Sequence, residues 1–99
     1  MIKSPPKVMT FSATDPTGGA GLQADILTIS SLGCHPVSIA TGFTVQDTIG
    51  VNKLISTDSE LVNEQARLIL EDMEVGIFKL GILGSKENIS VVAEIISDY

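Results

Sequence analysis

The sequence has little of what would place a protein outside the cell, in a membrane or on a nucleic acid. Its one cysteine, Cys34, leaves no internal disulfide available. No apolar run approaches the roughly 18 residues that cross a bilayer, and the opening residues lack the long apolar core of a secretory signal, so a cytoplasmic setting is expected. Basic residues are scarce. Six Lys and Arg against 12 Asp and Glu give a formal net charge of -6, with no positive field for a phosphate backbone or an anionic membrane. Neither kind of partner is expected. The single histidine, His35, sits next to Cys34 without a partner at metal-ligand spacing, and no metal site is expected there. Internal repeats and low-complexity tracts are also missing.

What is present suits one globular domain or a piece of one: 99 residues, 43% hydrophobic and 18% charged. After a leader over residues 1–7, Val8 to Phe11 predicts a buried strand that runs into a turn-rich stretch from Asp15 to Gly21. Leu22, Ile26, Ile29 and Leu32 recur at helical spacing, and Gly33 can end that helix. The β-branched content of Val37 to Val45 predicts a second strand, and Val51 to Ile55 a short third. Thr57 and Glu60 have the spacing of a capping box. The helix they open is expected to run to about Asp72, with Leu61, Gln65, Leu68 and Ile69 along its inner face and Val62 and Ala66 nearby. Val75 to Leu80 predicts another strand, and Ser85 caps a last helix with Ile89, Val92 and Ile96 turned inward. Strands alternating with helices imply an α/β fold with a largely parallel sheet flanked by helices.

Asp15-Pro16-Thr17-Gly18-Gly19-Ala20-Gly21 lies between a predicted strand and a predicted helix, where helix-start amides can receive a ligand. A tight turn alone is the plain reading of such glycines. A Walker loop is excluded because no Lys-Ser or Lys-Thr pair follows the last glycine. Gly19 to Ala24 fits the dinucleotide pattern G-x-G-x-x-A, yet that pattern wants an acid about 20 residues on, and Asp47 lies too far along. A carboxylate at Asp15 would also repel a pyrophosphate on the same turn.

The run Ala13 to Asp25 closely resembles the glycine-rich signature of hydroxymethylpyrimidine/phosphomethylpyrimidine kinases in the ribokinase-like superfamily. Thr44-Val45-Gln46-Asp47-Thr48 and Lys79-Leu80-Gly81-Ile82-Leu83-Gly84-Ser85 resemble two further segments of that family, in the same order. Ala13 stands where the family usually has glycine, and Ile82 where it often has methionine. The resemblance implies the N-terminal part of a ribokinase-like three-layer domain over residues 8–99, with the C-terminal half absent. It implies an ATP- and Mg²⁺-dependent phosphotransferase acting on 4-amino-5-hydroxymethyl-2-methylpyrimidine and its monophosphate in thiamine diphosphate biosynthesis. Carried over by position, Ala20, Asp25, Thr44, Gln46 and Ile82 are expected to line the pyrimidine pocket, and Lys79 stays unassigned. Gln46 could both donate and accept toward an aminopyrimidine edge. Asp25 could accept from the ligand or from the amides of the turn. No catalytic residue is assigned. The donors around the transferring phosphoryl group and the nucleotide and metal contacts are expected mainly outside these residues, which leaves the isolated chain inactive. The resemblance also implies a homo-oligomer for the full-length form. A pyridoxal or pyridoxamine kinase, a Rossmann-type dinucleotide-binding unit, and a non-enzymatic binding module remain the alternatives.

Overall fold

A computed structural model describes residues 4–99. Its elements run β1 (Lys7–Ala13), α1 (Gly21–Ser31), β2 (His35–Gln46), β3 (Val51–Ser56), α2 (Ser59–Asp72), β4 (Ile77–Leu80) and α3 (Lys86–Asp98). Residues 1–3 of the expected leader lie outside the described residues, and Lys7 already belongs to β1, where it pairs with His35. The sheet order is β3-β2-β1-β4. β1 pairs in parallel with both β2 and β4, while β3 returns antiparallel along β2 through the turn at Asp47. The sheet is therefore mainly parallel, as the alternation of elements predicts.

Period-two alternation along β1 sends Met9 and Phe11 to one face and Thr10 and Ser12 to the other, and all four are buried. Met9 and Phe11 join Val37, Ile39, Val62, Ala66, Val92 and Ile95 in one apolar core, so α2 and α3 cover that face. Phe11 also meets the Phe78 ring of β4, with centroids 6.3 Å apart. α1 lies on the opposite face, where Leu22 and Ile29 are buried and Asp25 accepts from the Thr10 hydroxyl. Helices on both faces of the sheet make three layers.

The ends of α1 follow the expected chemistry. Gly33, at φ +82°, lets its own amide reach Ser30 O at 3.1 Å and the Cys34 amide reach Ile29 O at 3.1 Å, closing the helix in a Schellman pattern. Leu32, expected on the inner stripe, is 75% exposed because it is the cap residue, and Ile26 sits at the edge of the buried face.

The second and third helices depart from the expected faces. Asp58, not Thr57, caps α2, accepting from the Glu60 amide at 2.8 Å. The reason is that the Thr57 amide is already tied to Thr41 O at 2.9 Å, which holds Thr57 at the end of the sheet and moves the helix start onward. The inward stripe also differs from expectation: Val62 and Ala66 are buried and Ile69 packs beside them, whereas Leu61, Gln65 and Leu68 are exposed. In α3 Ile89 is exposed, and Asn88 takes the inner place with Val92 and Ile95, Ile96 packing at the margin. Ser85 caps α3 as expected, accepting from the Asn88 amide at 3.1 Å.

Asn88 owes its place to the carbonyls that it serves. Its side-chain amide donates to Thr41 O (3.3 Å), Thr57 O (3.2 Å) and Leu83 O (2.9 Å), which ties the middle of β2 to the starts of both following helices. On the outside of the same layer Arg67 of α2 pairs with Asp98 at 2.9 Å and lies over the Tyr99 ring, whose hydroxyl bonds to Glu71. This exposed pair contributes little stability.

Removing the buried amide takes this donor from the Thr57 and Leu83 carbonyls, while Thr41 O keeps the Thr57 amide. Asn88→Leu is expected to lower the unfolding free energy by about 2–3 kcal/mol in urea titration, whereas Ile89→Ser, one residue on, changes it by less than about 0.5 kcal/mol.

Candidate functional site

The crossover from β1 leads over one face of the sheet into α1, and the crossover from β4 leads over the other face into α3. The loops after these neighbouring strands therefore part and open a crevice at the carboxyl ends of the strands, the usual place for a ligand in such sheets. A cavity of about 370 Å³ lies there, lined by the β1–α1 turn, the end of β2, the inner side of β3 and the β4–α3 loop.

The turn is held by Asp15. Its carboxylate accepts from the Thr17 hydroxyl at 2.8 Å, the Thr17 amide at 2.9 Å and the Ala20 amide at 2.9 Å, an Asx turn extended to the helix start. These donors, the Thr17 hydroxyl foremost, hold the Asp15 carboxyl below its ordinary value of 3.8 against the opposing effect of burial. The Asp15 amide in turn donates to the Gln23 side chain at 2.7 Å, which fastens the turn to the first turn of α1. Gly21, at φ +65°, completes the fit: a Cβ there would stand 2.4 Å from Ala13 O. Much of the glycine-rich signature is thus the architecture of the turn itself.

Across the cavity the end of β2 forms a relay. The Thr44 amide donates to the Thr14 hydroxyl at 3.1 Å, and the Thr44 hydroxyl donates to Thr14 O at 2.8 Å. The Gln46 amide nitrogen donates to the Thr44 hydroxyl at 2.5 Å and to Thr14 O at 3.3 Å. Because a carbonyl only accepts, this fixes which end of the Gln46 amide is nitrogen. The expectation that Gln46 both donates and accepts toward a ligand is therefore corrected: its donor end is committed inside the protein, and Oε1 faces the cavity as an acceptor.

Of the five expected site residues, Ala20, Thr44, Gln46 and Ile82 line this one cavity. Ile82 contributes an apolar wall with Val51 and Leu54 of β3, while its carbonyl accepts from the buried Thr41 hydroxyl at 2.6 Å. Asp25 does not line the cavity and takes no amide of the turn; the Asp15 carboxylate holds those of Thr17 and Ala20, and the Thr17 hydroxyl that of Gly19. Asp25 accepts instead from Thr10 at 2.6 Å and from the Lys79 ammonium at 2.8 and 2.9 Å, and Lys79 itself lines the cavity. Lys79, unassigned from the sequence, Thr14, and Val51 and Leu54 of β3 are among the cavity residues that sequence reasoning did not place there. Lys79 and Thr14 both stood inside motif segments, whereas nothing marked Val51 and Leu54; Thr14 acts as an acceptor through its carbonyl and its hydroxyl.

Among the described residues no group of three His, Cys, Asp or Glu side chains gathers as metal ligands would. The two carboxylates nearest the cavity, Asp15 and Asp25, are both engaged by protein donors, so these residues do not fit Mg²⁺.

Residues 15–99 match the model of the family described as phosphomethylpyrimidine kinase. The chain belongs to the phosphomethylpyrimidine kinase family. It is 38% identical over 94 residues to the hydroxymethylpyrimidine/phosphomethylpyrimidine kinase of Streptomyces coelicolor, covering 95% of this chain and 35% of that protein. The crystal structure of phosphomethylpyrimidine kinase from Clostridium difficile superimposes with a TM-score of 0.89 at 31% identity, covering 95% of this chain and 41% of that one. An ADP complex of Bacillus subtilis pyridoxal kinase gives a TM-score of 0.87 at 26% identity, covering 96% and 38%. The ribokinase-like α/β architecture is therefore the one this family member has. The chain spans about a third of the Streptomyces relative's length, and 13% of a multifunctional thiamine biosynthesis protein of Corynebacterium glutamicum that it also matches.

Two outcomes follow from the turn. Gly21→Ala is expected to cost about 2 kcal/mol or more in urea titration, from the left-handed backbone and the close carbonyl. For Asp15 the folded-state pKa is depressed, so its stabilisation is present above the ordinary value of 3.8 and is lost as pH falls through the lower folded value. Asp15→Asn should thus have a lower urea midpoint than wild type at pH 7, and the gap should close below about pH 4; a gap that persists unchanged to pH 2 would contradict this.

Proposed function

We propose that these residues form the pyrimidine-binding part of an ATP-dependent kinase. In this reading the enzyme phosphorylates 4-amino-5-hydroxymethyl-2-methylpyrimidine and then its monophosphate, toward thiamine diphosphate. Ala20, Thr44, Gln46 and Ile82 line the ring's binding place, with Asp25 acting from behind. Residues 8–99, with Lys7 joined to them in β1, are one portion of a single kinase domain. The setting is cytoplasmic, and the apolar side chains on the outer side of β3 and the β4 edge, such as Ile55 and Ile77, serve association into a homo-oligomer.

The observation that carries this reading is the acceptor-only Gln46 at the edge of a small, largely apolar cavity. An exocyclic amino group supplies the donor that Oε1 lacks, and the apolar wall of Val51, Leu54 and Ile82 suits the faces and methyl group of a small ring. A pyridoxal-type ligand is the second reading, favoured by the likeness to the Bacillus subtilis pyridoxal kinase. Its ring oxygen, when ionised, would face another acceptor and lose by comparison.

ATP is the phosphoryl donor, with Mg²⁺ held mainly by other parts of the enzyme. Phosphoryl transfer needs donors arranged around the moving group. With about a third of the Streptomyces relative's length, this chain is expected to bind the pyrimidine without turning over ATP.

Calorimetric titration of the chain with 4-amino-5-hydroxymethyl-2-methylpyrimidine, with pyridoxal as comparison, tests the reading. Preferential pyrimidine binding, weakened about tenfold or more in Gln46→Ala, is expected. Equal or tighter binding of pyridoxal would turn the reading to the second ligand, and binding unaffected by Gln46→Ala would remove Gln46 from the site.

A further inference from the structure

Gln46 leaves one charged group of the cavity without a part, the Lys79 ammonium. An ammonium has three N–H donors and no acceptor. Two of its N–H directions go to Asp25, at 2.8 Å to Oδ1 and 2.9 Å to Oδ2, and the carboxylate is itself pinned by the Thr10 hydroxyl at 2.6 Å. The pair joins β4, α1 and β1. Its members are unequally covered: the Asp25 side chain is 12% exposed and the Lys79 side chain 45%. The ammonium is thus the accessible member and the carboxylate its support, with one N–H left over.

Two features place the ammonium beside the cavity. Lys79 lines it, and Gly81 clears the space beside the ammonium: a Cβ at Gly81 would stand 2.3 Å from the Ser12 hydroxyl and 3.4 Å from Nζ. β1 lies between β2 and β4, so Gln46 and Lys79 reach the cavity from opposite sides of the central strand. One presents an acceptor, the other a donor. The remaining charged group of the lining, Asp15, is spent on its own turn.

We propose that Lys79 is a ligand-binding donor for an unprotonated ring nitrogen, that Asp25 is the positioning residue that orients it, and that together they select the neutral form of the heterocycle. The inference rests on the pyrimidine reading. An aminopyrimidine carries its amino donor on one edge and an unprotonated nitrogen across the ring, which complements an acceptor and a donor placed on opposite sides. A ring protonated or alkylated at that nitrogen has no lone pair to offer and meets a like charge.

The test is calorimetric titration of the full chain with the neutral pyrimidine at pH 8 and with its ring-N-methylated cation. Wild type should bind the neutral ligand and discriminate against the cation. Lys79→Met should weaken the neutral ligand about tenfold or more and lose the discrimination, while Lys79→Arg keeps both within a few-fold. Asp25→Asn should also weaken binding, and adding Lys79→Met to it should cost no more than about twofold further, the non-additivity of two residues acting as one. Urea midpoints establish that each variant is folded; if Lys79→Met is not, Lys79→Gln takes its place. Lys79→Met binding the pyrimidine as wild type does would overturn the inference alone. Fully additive losses would overturn it too, since Asp25 would then touch the ligand itself. Failure of the wild-type chain to bind either pyrimidine or pyridoxal would overturn the inference together with the reading on which it rests.

Discussion

Strand β1 is paired in parallel on both sides, and a parallel neighbour can be reached only by a crossover over one face of the sheet. To serve β2 and β4 on opposite sides, the chain must pass over both faces, with α1 on one and α2 and α3 on the other. The carboxyl end of β1 is where these layers part. The cavity is thus a consequence of strand order, and the glycine-rich turn, the β2 relay and the β4 loop meet there because each follows a strand that ends at the same edge.

Within the cavity, polar groups are mostly spent on one another. The Asp15 carboxylate holds the Thr17 and Ala20 amides, Thr44 donates twice to Thr14 between the ends of β1 and β2, and Asp25 answers Thr10 and Lys79. Such internal commitment is what buried polar groups require. It leaves few groups facing the open space, the Gln46 oxygen and one Lys79 N–H among them, and those few define what a ligand must bring. The apolar wall from β3 adds surface without further direction.

Asn88 performs the same service for the scaffold. One carbonyl from the middle of β2 and two from just before α2 and α3 converge on one side-chain amide. With Asn88 drawn inward, Ile89 is left outside, and in α2 Val62 and Ala66 take the inner positions while Leu61 and Leu68 stay exposed, although their spacing is as helical as that of the residues inside.

Local signals were sufficient for much of this. The period of apolar residues, the turn chemistry of Gly33 and Ser85 and the β-branched run of β2 act over a few residues, so element types and order were legible, and with them the parallel three-layer arrangement. The motif segments brought Ala20, Thr44, Gln46 and Ile82 into view as a set. Tertiary structure alone decided which side of each later helix is buried, because several apolar stripes were available and only contacts distant in sequence choose among them. It also decided that Asp25 stands behind Lys79 rather than in the cavity, and that Gln46 offers oxygen rather than nitrogen. Those outcomes depend on partners 54 and 32 positions away along the chain, and no local pattern encodes a hydrogen bond across such a separation.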